Sequence, residues 1–221
     1  MIIPNSQKGL FITLEGIEGV GKSTCLKFIQ SYLKRKQIPH ITTREPGGTP
    51  FAEAIRKLLL SSYQEIVCND AELLLFFAGR AQHIANIILP ALNEGKWVIC
   101  DRFTDASYAY QCGGRGIPKE RIAFLEQWVQ GDLRPDMTLL FDAPVQTALS
   151  RITKRGKPDR IETEKKHFFT RVRNCYLELA KEQPARFRII NASRPLTVVK
   201  QELRNIIDHA ITQQMKSENT L

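Results

Sequence analysis

The stretch from Gly16 to Ser23 has the residue types and the spacing that bind phosphate. It fits the pattern G-x-x-x-x-G-K-[ST], in which glycines let backbone N–H groups turn toward phosphate oxygens. Lys22 of this pattern reaches the β- and γ-phosphates of a nucleotide, and the Ser23 hydroxyl is a ligand for Mg²⁺. The pattern therefore predicts a phosphate loop that binds nucleotide and Mg²⁺ through Gly16, Ile17, Glu18, Gly19, Val20, Gly21, Lys22, Ser23 and Thr24.

The elements on either side of this loop are those that the chemistry needs. The apolar run over 10–14 predicts a buried strand, and the segment from Ser23 onward has helical spacing. A helix that begins at the loop directs its free N–H groups and its positive dipole end at the phosphate. A chance glycine-rich turn is the alternative, but it does not account for a strand before the loop and a helix after it.

Charged residues follow four of the predicted strands. In a parallel sheet these strand ends emerge at one edge, where ligands bind in open α/β folds. Asp101 would then lie beside Ser23 and hold Mg²⁺ directly or through water, and Arg102 would add positive charge where two phosphate groups meet. An ion pair at the rim of the sheet is the alternative. The four strand ends are Thr13-Leu14-Glu15, Thr42-Thr43-Arg44-Glu45, Val98-Ile99-Cys100-Asp101-Arg102 and Leu139-Leu140-Phe141-Asp142.

Two other segments could contact a nucleotide. Arg44 can bind phosphate in bidentate fashion, and Pro46 with the glycines after it fixes an unusual turn. A simple strand-to-helix turn explains that segment equally well.

Phe76 and Arg80 are four residues apart on a predicted helix, so they share a face. That face offers a base an aromatic ring to stack on and a guanidinium group to donate hydrogen bonds. An aromatic residue on an apolar helix is, however, more often part of the core.

Ser107 and Gln111 lie in a stretch of hydroxyl, amide and aromatic groups that ends in glycines. Such groups suit hydrogen bonds to a base edge and a sugar, although the stretch could also be a helix that ends at a glycine.

A basic cluster runs from Arg151 to Arg160 and contains Gly156 and Pro158, which favours a mobile loop over a nucleic-acid-binding helix. A solvated surface loop is the alternative there.

Composition bounds the class of protein. The chain has 221 residues, of which 43% are hydrophobic and 25% charged, with a net charge of +9 that implies an anionic partner. The basic residues are dispersed and no aromatic-rich RNA-binding signature is present, so we expect no nucleic-acid partner. No apolar run approaches the roughly 20 residues of a membrane span, and the first residues lack a secretory signal. Five cysteines without a C-x-x-C pair indicate a reduced, cytoplasmic protein.

Strand and helix patterns alternate along the chain, which predicts a single α/β domain over 1–221 with a parallel sheet flanked by helices. The lid is expected over about 151–161, and a flexible tail over 216–221. Strands are predicted at 10–14, 40–43, 97–100, 137–141 and 187–190. Helices are predicted at 22–36, 50–60, 70–93, 118–130, 144–154, 162–183 and 195–214.

These segments, in this order, resemble the thymidylate kinase family over residues 11–191. The phosphate loop is shared by very many nucleotide hydrolases, but T-R-E-P-G-G combined with F-x-A-x-R is far more specific. The resemblance rests on residues 15–23, 43–48, 76–80, 101–102, 110–116 and 159–162. It implies a P-loop NTPase-type nucleoside-monophosphate kinase with a five-stranded sheet and a short mobile lid. It also implies transfer of the ATP γ-phosphoryl group to dTMP, with Mg²⁺, in a homodimer.

The resemblance implies roles for the residues already singled out. Arg44 and Arg102 would hold the dTMP phosphate, Glu18 would contact the sugar 3′-hydroxyl, and Asp101 would support Mg²⁺.

For the base, the family resemblance implies that Phe76 stacks on thymine and that Arg80 bonds to its O4 atom. Ser107 and Gln111 fall where the family contacts base and sugar.

The family takes its transition-state arginine from the phosphate loop or from the lid. Gly19 follows Glu18 here, so the loop supplies none, and the chain resembles the bacterial type with lid arginines. Arg151, Arg155 and Arg160 are in the lid, and Thr153 stands where relatives can carry another arginine. We therefore take Arg155 as the leading candidate and keep Arg151 as the other.

Two other functions remain open at this point. The same fold could phosphorylate another nucleotide or a nucleoside, or the chain could be a P-loop regulatory protein that hydrolyses NTP as a switch. A guanine-reading N-K-x-D stretch is absent, which disfavours the switch. An acceptor phosphate is already anionic, so catalysis should rest on positioning and charge, from Lys22, Arg102, Glu18 and the lid arginines.

Replacement of Arg155 by alanine should lower kcat much more than it weakens dTMP binding, because a donated arginine can contribute about 10³–10⁵ in rate. Steady-state kinetics and a dTMP binding titration measure the two effects separately. Lys154→Ala, which removes a neighbouring positive charge, is the control. An unchanged kcat in Arg155→Ala would refute the assignment.

Overall fold

Five parallel strands form one sheet, which confirms the predicted architecture. The computed structural model describes residues 9–153 and 159–218. Each predicted strand is present, and each extends one residue further toward its carboxyl end than predicted. The strands are β1 Phe11–Glu15, β2 His40–Arg44, β3 Trp97–Asp101, β4 Met137–Asp142 and β5 Phe187–Asn191. Their order in the sheet is β2-β3-β1-β4-β5.

Helices cover both faces of the sheet, as right-handed crossovers between parallel strands require. Two of them continue as π-helical turns, at Ile84–Ile88 directly after His83 and at Tyr108–Gly114 directly after Ser107. The helices are α1 Lys22–Arg35, α2 Pro50–Leu60, α3 Asn69–His83, α4 Leu89–Asn93, α5 Thr104–Ser107, α6 Lys119–Gln130, α7 Val145–Thr153, α8 Lys166–Glu182 and α9 Leu196–Glu218.

The strand order places a crevice at the carboxyl edge. The chain leaves β1 toward β2 on one side, whereas it leaves β4 toward β5 on the other, and ligands bind where connections diverge in this way. The register aligns the strand ends, because Leu14 and Arg44 both lie opposite Asp101. The charged residues that end β1, β2 and β3 are therefore brought together, as the sequence predicts.

The two faces of β1 pack into two apolar clusters, because successive side chains of a strand point to opposite faces. Ile12 and Leu14 join the larger cluster, which includes residues of α1, α8 and α9. Phe11 joins the smaller cluster with Ile84 and Phe103. Both faces of the central strand β1 are buried. The packed sheet therefore holds the residues at its carboxyl edge in fixed positions.

The described structure differs from the predicted helices in two places. The helix predicted from 162 begins at Lys166, because Asp159 Oδ1 accepts hydrogen bonds from the backbone N–H groups of Ile161 and Glu162, 2.9 Å each, and holds a turn there. The stretch from 104 to 114, which no predicted helix covers, is helical and contains both Ser107 and Gln111.

The predicted lid and tail lie partly outside the described residues. Arg155 falls in the part that is not described, as do residues 219–221 of the tail. Residues 216–218 belong to the last turn of α9.

The continuous helical stretch Asn69–Asn93 is long and apolar enough to cross a membrane by length and composition alone, with a mean hydropathy of 1.3 in its best window. The apolar runs of the sequence had predicted no such span. Within this stretch, Glu72, Arg80 and His83 are buried, and each is bonded to residues elsewhere in the fold. These contacts show that one face of the helix packs inside this domain.

Candidate active site

The phosphate loop joins β1 to α1, as predicted. Lys22 Nζ folds back over the loop and donates to the carbonyl oxygens of Gly16 and Ile17, at 2.9 and 3.1 Å. Burial, together with the charge of Arg102, lowers the pKa of Lys22 to about 8. An anionic phosphate placed against the loop would favour the charged ammonium again.

Gly19 has no room for a side chain. Its φ angle is 77°, in the left-handed region, and a Cβ atom there would lie 2.1 Å from the carbonyl oxygen of Ala148. An arginine at position 19 would therefore not fit in this loop. A catalytic arginine must then come from outside the phosphate loop.

Asp101 ends β3 at the middle of the carboxyl edge. Its Oδ1 atom is buried and has no hydrogen-bond partner among the described residues, while the neighbouring Ser23 is exposed in the same cavity wall. Within the described ranges, no group of three or more His, Cys, Asp or Glu side chains could hold a metal. Mg²⁺ takes one or two carboxylates and fills its other positions with water and phosphate, so an unpaired carboxylate oxygen beside a phosphate loop fits it.

Arg102 follows Asp101 with a left-handed backbone, φ 73°, and its side chain is mostly buried. Its guanidinium donates to Glu18 Oε1 at 3.0 Å and to the hydroxyl oxygens of Tyr110 and Tyr176 at 2.9 Å each. Tyr110 in turn donates to Glu18 Oε2 at 2.5 Å. These contacts bring together Glu18 and Arg102, which the sequence predicted separately.

A second layer lies beneath Arg102. Glu15 Oε2 accepts a hydrogen bond from Tyr176 at 2.7 Å, and Glu15 Oε1 accepts one from the backbone N–H of Phe103 at 2.7 Å. Burial, with the nearby charge of Asp105, raises the pKa of Glu15 to about 8. The sequence did not predict the contacts that Tyr110 and Tyr176 make with Arg102. No motif surrounds Tyr176, because α8 reaches Arg102 only through tertiary packing.

Arg80 is fully buried between the rings of Phe77 and Phe103, 4.6 and 5.2 Å from their centroids. Its Nε donates to Glu45 Oε2 at 2.7 Å, and its Nη2 donates to Ser107 Oγ at 3.1 Å. Its remaining nitrogen, Nη1, has no hydrogen-bond partner among the described residues. A fixed guanidinium therefore keeps one donor for a ligand.

Two cavities open along the carboxyl edge and share part of their walls. The smaller, which we call the acceptor cavity, has a volume of about 80 Å³ and is lined by the predicted Phe76, Arg80, Ser107 and Gln111. The larger, the phosphate-loop cavity, has a volume of about 450 Å³ and is lined by Lys22, Ser23 and Asp101. Both are lined by Glu18, Glu45, Arg56, Arg102 and Asp159.

Two arginines near the second strand line these cavities, one of them in both. Arg44 lines the phosphate-loop cavity, where Nη2 contacts both carboxylate oxygens of Glu53 at 3.0 Å. Arg56 lines both cavities and donates to the carbonyl oxygen of Pro46 at 2.8 Å, next to the cis Glu45–Pro46 bond. Sequence reasoning missed Arg56, whose only signal is its place on the helix after T-R-E-P-G-G.

The lid arginines occupy different surroundings. Arg151 lines the phosphate-loop cavity and lies within 3.3 Å of the carbonyl oxygen of Ala192. Arg160 instead donates to Glu72 Oε2 at 2.6 Å and to the carbonyl oxygen of Leu59 at 2.9 Å. Arg151 is therefore the lid arginine that the described structure brings to the phosphate loop.

The parallel sheet, the phosphate loop and the adjoining acceptor cavity define a P-loop kinase of the nucleoside-monophosphate type. The family model "Thymidylate kinase" matches residues 14–203. The thymidylate kinase of Pseudomonas savastanoi pv. phaseolicola is 55% identical over 199 residues, which cover 90% of this chain and 95% of the relative. That of Methylococcus capsulatus is 54% identical over 200 residues, with the same coverages.

A solved structure agrees with these matches. The crystal structure of thymidylate kinase from Ehrlichia chaffeensis aligns with a TM-score of 0.72 and 33% identity, over 90% of this chain and 99% of that one. The chain belongs to the thymidylate kinase family, which confirms the resemblance drawn from the sequence and the phosphotransferase class. It also confirms the predicted reaction, the phosphorylation of dTMP to dTDP with ATP as the phosphoryl donor.

Replacement of Tyr176 by phenylalanine should lower the free energy of unfolding by about 1–3 kcal/mol, because it leaves a buried Glu15 oxygen and an Arg102 N–H without a partner. Urea denaturation measures this loss. Tyr63→Phe removes an exposed hydroxyl that donates to the carbonyl oxygen of Leu58, and it is the matched control. Equal stability of the two variants would contradict the role of Tyr176.

Proposed function

We propose that the two cavities are the two substrate sites of one reaction, in which the γ-phosphoryl group of ATP is transferred to dTMP to give dTDP. The phosphate-loop cavity takes ATP and the acceptor cavity takes dTMP. One observation carries this assignment: the acceptor cavity contains a buried arginine, Arg80, with an unpaired donor atom, and shares Arg102 with the phosphate-loop cavity. A pyrimidine base can bind at one end while its phosphate reaches the other.

In the acceptor site, Phe76 stacks on thymine and Arg80 Nη1 donates to the O4 atom. Ser107 and Gln111 line the same cavity and contact the base and sugar. An aromatic face with one fixed donor suits a flat base that carries an exocyclic oxygen.

At the junction of the cavities, Arg102 holds the dTMP phosphate, with Arg44 and Arg56 supplying further positive charge. Glu18 contacts the sugar 3′-hydroxyl, and its bond to Arg102 places the sugar and phosphate contacts next to each other. The reacting phosphate groups would therefore meet at Arg102.

In the donor site, Lys22 and the backbone N–H groups from Gly16 to Thr24 hold the ATP phosphates. Ser23 and Asp101 would hold Mg²⁺, which neutralises charge on the transferred phosphoryl group when bound. The acceptor oxygen is anionic at neutral pH, so Lys22, Arg102 and Glu18 act by positioning and by charge. Arg151 and Arg155 are our candidates for the arginine that stabilises the transition state.

The purified protein with ATP and Mg²⁺ should convert dTMP faster than UMP, dCMP or dGMP. Cytosine carries an amino group in place of the O4 acceptor that Arg80 Nη1 would bind, guanine is a larger purine, and UMP lacks the 5-methyl group and carries a 2′-hydroxyl. Coupled ADP release and chromatography of the products measure turnover for each nucleotide. Lys22→Met, which loses the phosphate-binding ammonium, controls for contaminating kinases. Equal turnover of UMP or dGMP would refute the base assignment. ATP hydrolysis without an acceptor would favour the regulatory alternative.

We also propose that the protein works as a cytoplasmic homodimer. All five cysteines are free, which suits a reducing compartment. Three adjacent helices, α2, α3 and α6, expose an apolar face formed by Phe51, Leu58, Leu74, Phe124 and Trp128, each more than half exposed. Exposed apolar side chains on three adjacent helices suit a second copy of the same surface across a two-fold axis.

Replacement of Trp128 by glutamate should convert the dimer to a monomer, because Trp128 is 74% exposed and a charge there would be buried in the interface. Sedimentation equilibrium measures the mass. Met215→Glu changes another exposed apolar residue, on α9, and should leave the dimer intact. A monomeric unmodified protein, or a Trp128→Glu variant that remains dimeric, would contradict this interface.

A further inference from the structure

Glu72 is a buried carboxylate that the reaction described above does not use. It is 2% exposed and lies on α3, four residues before Phe76 and eight before Arg80. This spacing puts the three side chains along one face of the helix. A buried acid in line with the base-binding residues, but without an assigned role, calls for an explanation from its contacts.

Glu72 accepts hydrogen bonds from three side chains of different parts of the chain. Gln111 Nε2 donates to Oε1 at 3.1 Å. Arg115 donates to both oxygens, at 3.1 and 3.2 Å, and Arg160 Nη2 donates to Oε2 at 2.6 Å. Burial alone would raise the pKa of Glu72, but the hydrogen bonds from Arg115 and Arg160 lower it below its ordinary value. The group is therefore an ionised carboxylate at neutral pH.

The ionised state of Glu72 determines which way Gln111 faces. A carboxylate can only accept hydrogen bonds, so the NH₂ group of the Gln111 amide must face Glu72 and its carbonyl oxygen must face away. Gln111 is 1% exposed and lines the acceptor cavity. An amide turned in this way offers the cavity an acceptor, whereas the opposite rotation would offer it a donor.

We propose that Glu72 is a positioning residue for base selection, which fixes the amide of Gln111 with its oxygen toward the bound base. This inference rests on the proposed dTMP site. The Gln111 oxygen and Arg80 Nη1 then form an acceptor and a donor that match N3–H and O4 of thymine. Cytosine has the opposite pattern, an acceptor at N3 and an amino group at C4, so both contacts would be lost.

Glu72 also supports, through Arg160, another part of the acceptor cavity's wall. Arg160 bonds to Glu72, and its neighbours Asp159 and Ile161 line the cavity. Arg115 bonds both to Glu72 and to Glu164. Loss of Glu72 could therefore act through the wall as well as through Gln111, and the experiment must separate the two.

The test is the ratio of kcat/KM for dTMP to that for dCMP in Glu72→Gln. A neutral amide at this position can donate or accept, so Gln111 is free to rotate, and the ratio should fall about tenfold or more through a gain for dCMP. Glu164→Gln disturbs Arg115 but not Gln111, and it should leave the ratio unchanged. A fall in kcat/KM that is equal for both nucleotides would mean that Glu72 only supports the wall, and it would overturn the proposal.

A double variant isolates the route through Gln111. In a Gln111→Leu background, Glu72→Gln should change the ratio no further, whereas independent effects would contradict the coupling. If the unmodified protein does not prefer dTMP to dCMP, the proposed acceptor site is wrong, and the role of Glu72 that rests on it is wrong as well.

A measurement on the unmodified protein covers the case in which Glu72→Gln does not fold. The side-chain NH₂ of Gln111, assigned by its loss in Gln111→Leu, should exchange slowly with solvent in NMR spectra without nucleotide. Exchange as fast as that of the exposed Gln201 would overturn the proposal.

Discussion

One buried chain of hydrogen bonds, from Glu15 through Tyr176 to Arg102, fixes the cation between the two cavities. Its members come from β1, α8 and the end of β3, so the position of the guanidinium depends on how a late helix packs on the central strands. The left-handed backbone of Arg102 is a conformation that a non-glycine residue keeps only when its surroundings determine it. Glu15, which binds the N–H of Phe103 directly after it, contributes to that constraint.

Three arginines of the site are each paired with a carboxylate. Glu45 orients Arg80, Glu18 orients Arg102, and Glu53 contacts Arg44. Such pairing reduces the repulsion among cations that gather around polyanionic ligands, and it fixes their geometry before the ligand arrives. The degree of burial distinguishes them, because the Arg80 side chain is 1% exposed whereas that of Arg44 is 53% exposed.

The sheet and the phosphate loop were predictable because their signals are local: apolar runs, glycine spacing and a lysine before a serine. Phe76 and Arg80 were predictable as a pair from one helical turn. Tyr176, Arg56 and Glu72 were not, because they reach the site through tertiary packing and their immediate neighbours look like any amphipathic helix. The start of α8 was misplaced because the Asp159 side chain competes for the backbone N–H groups that a helix would use.

The crowding at Gly19 limits how this enzyme can evolve. Any Cβ at Gly19 would lie 2.1 Å from the backbone carbonyl oxygen of Ala148 in α7. A substitution to arginine there would therefore displace the loop or the helix. A side chain could enter the loop at this place only together with a change in α7, so the two elements are constrained to change as one unit.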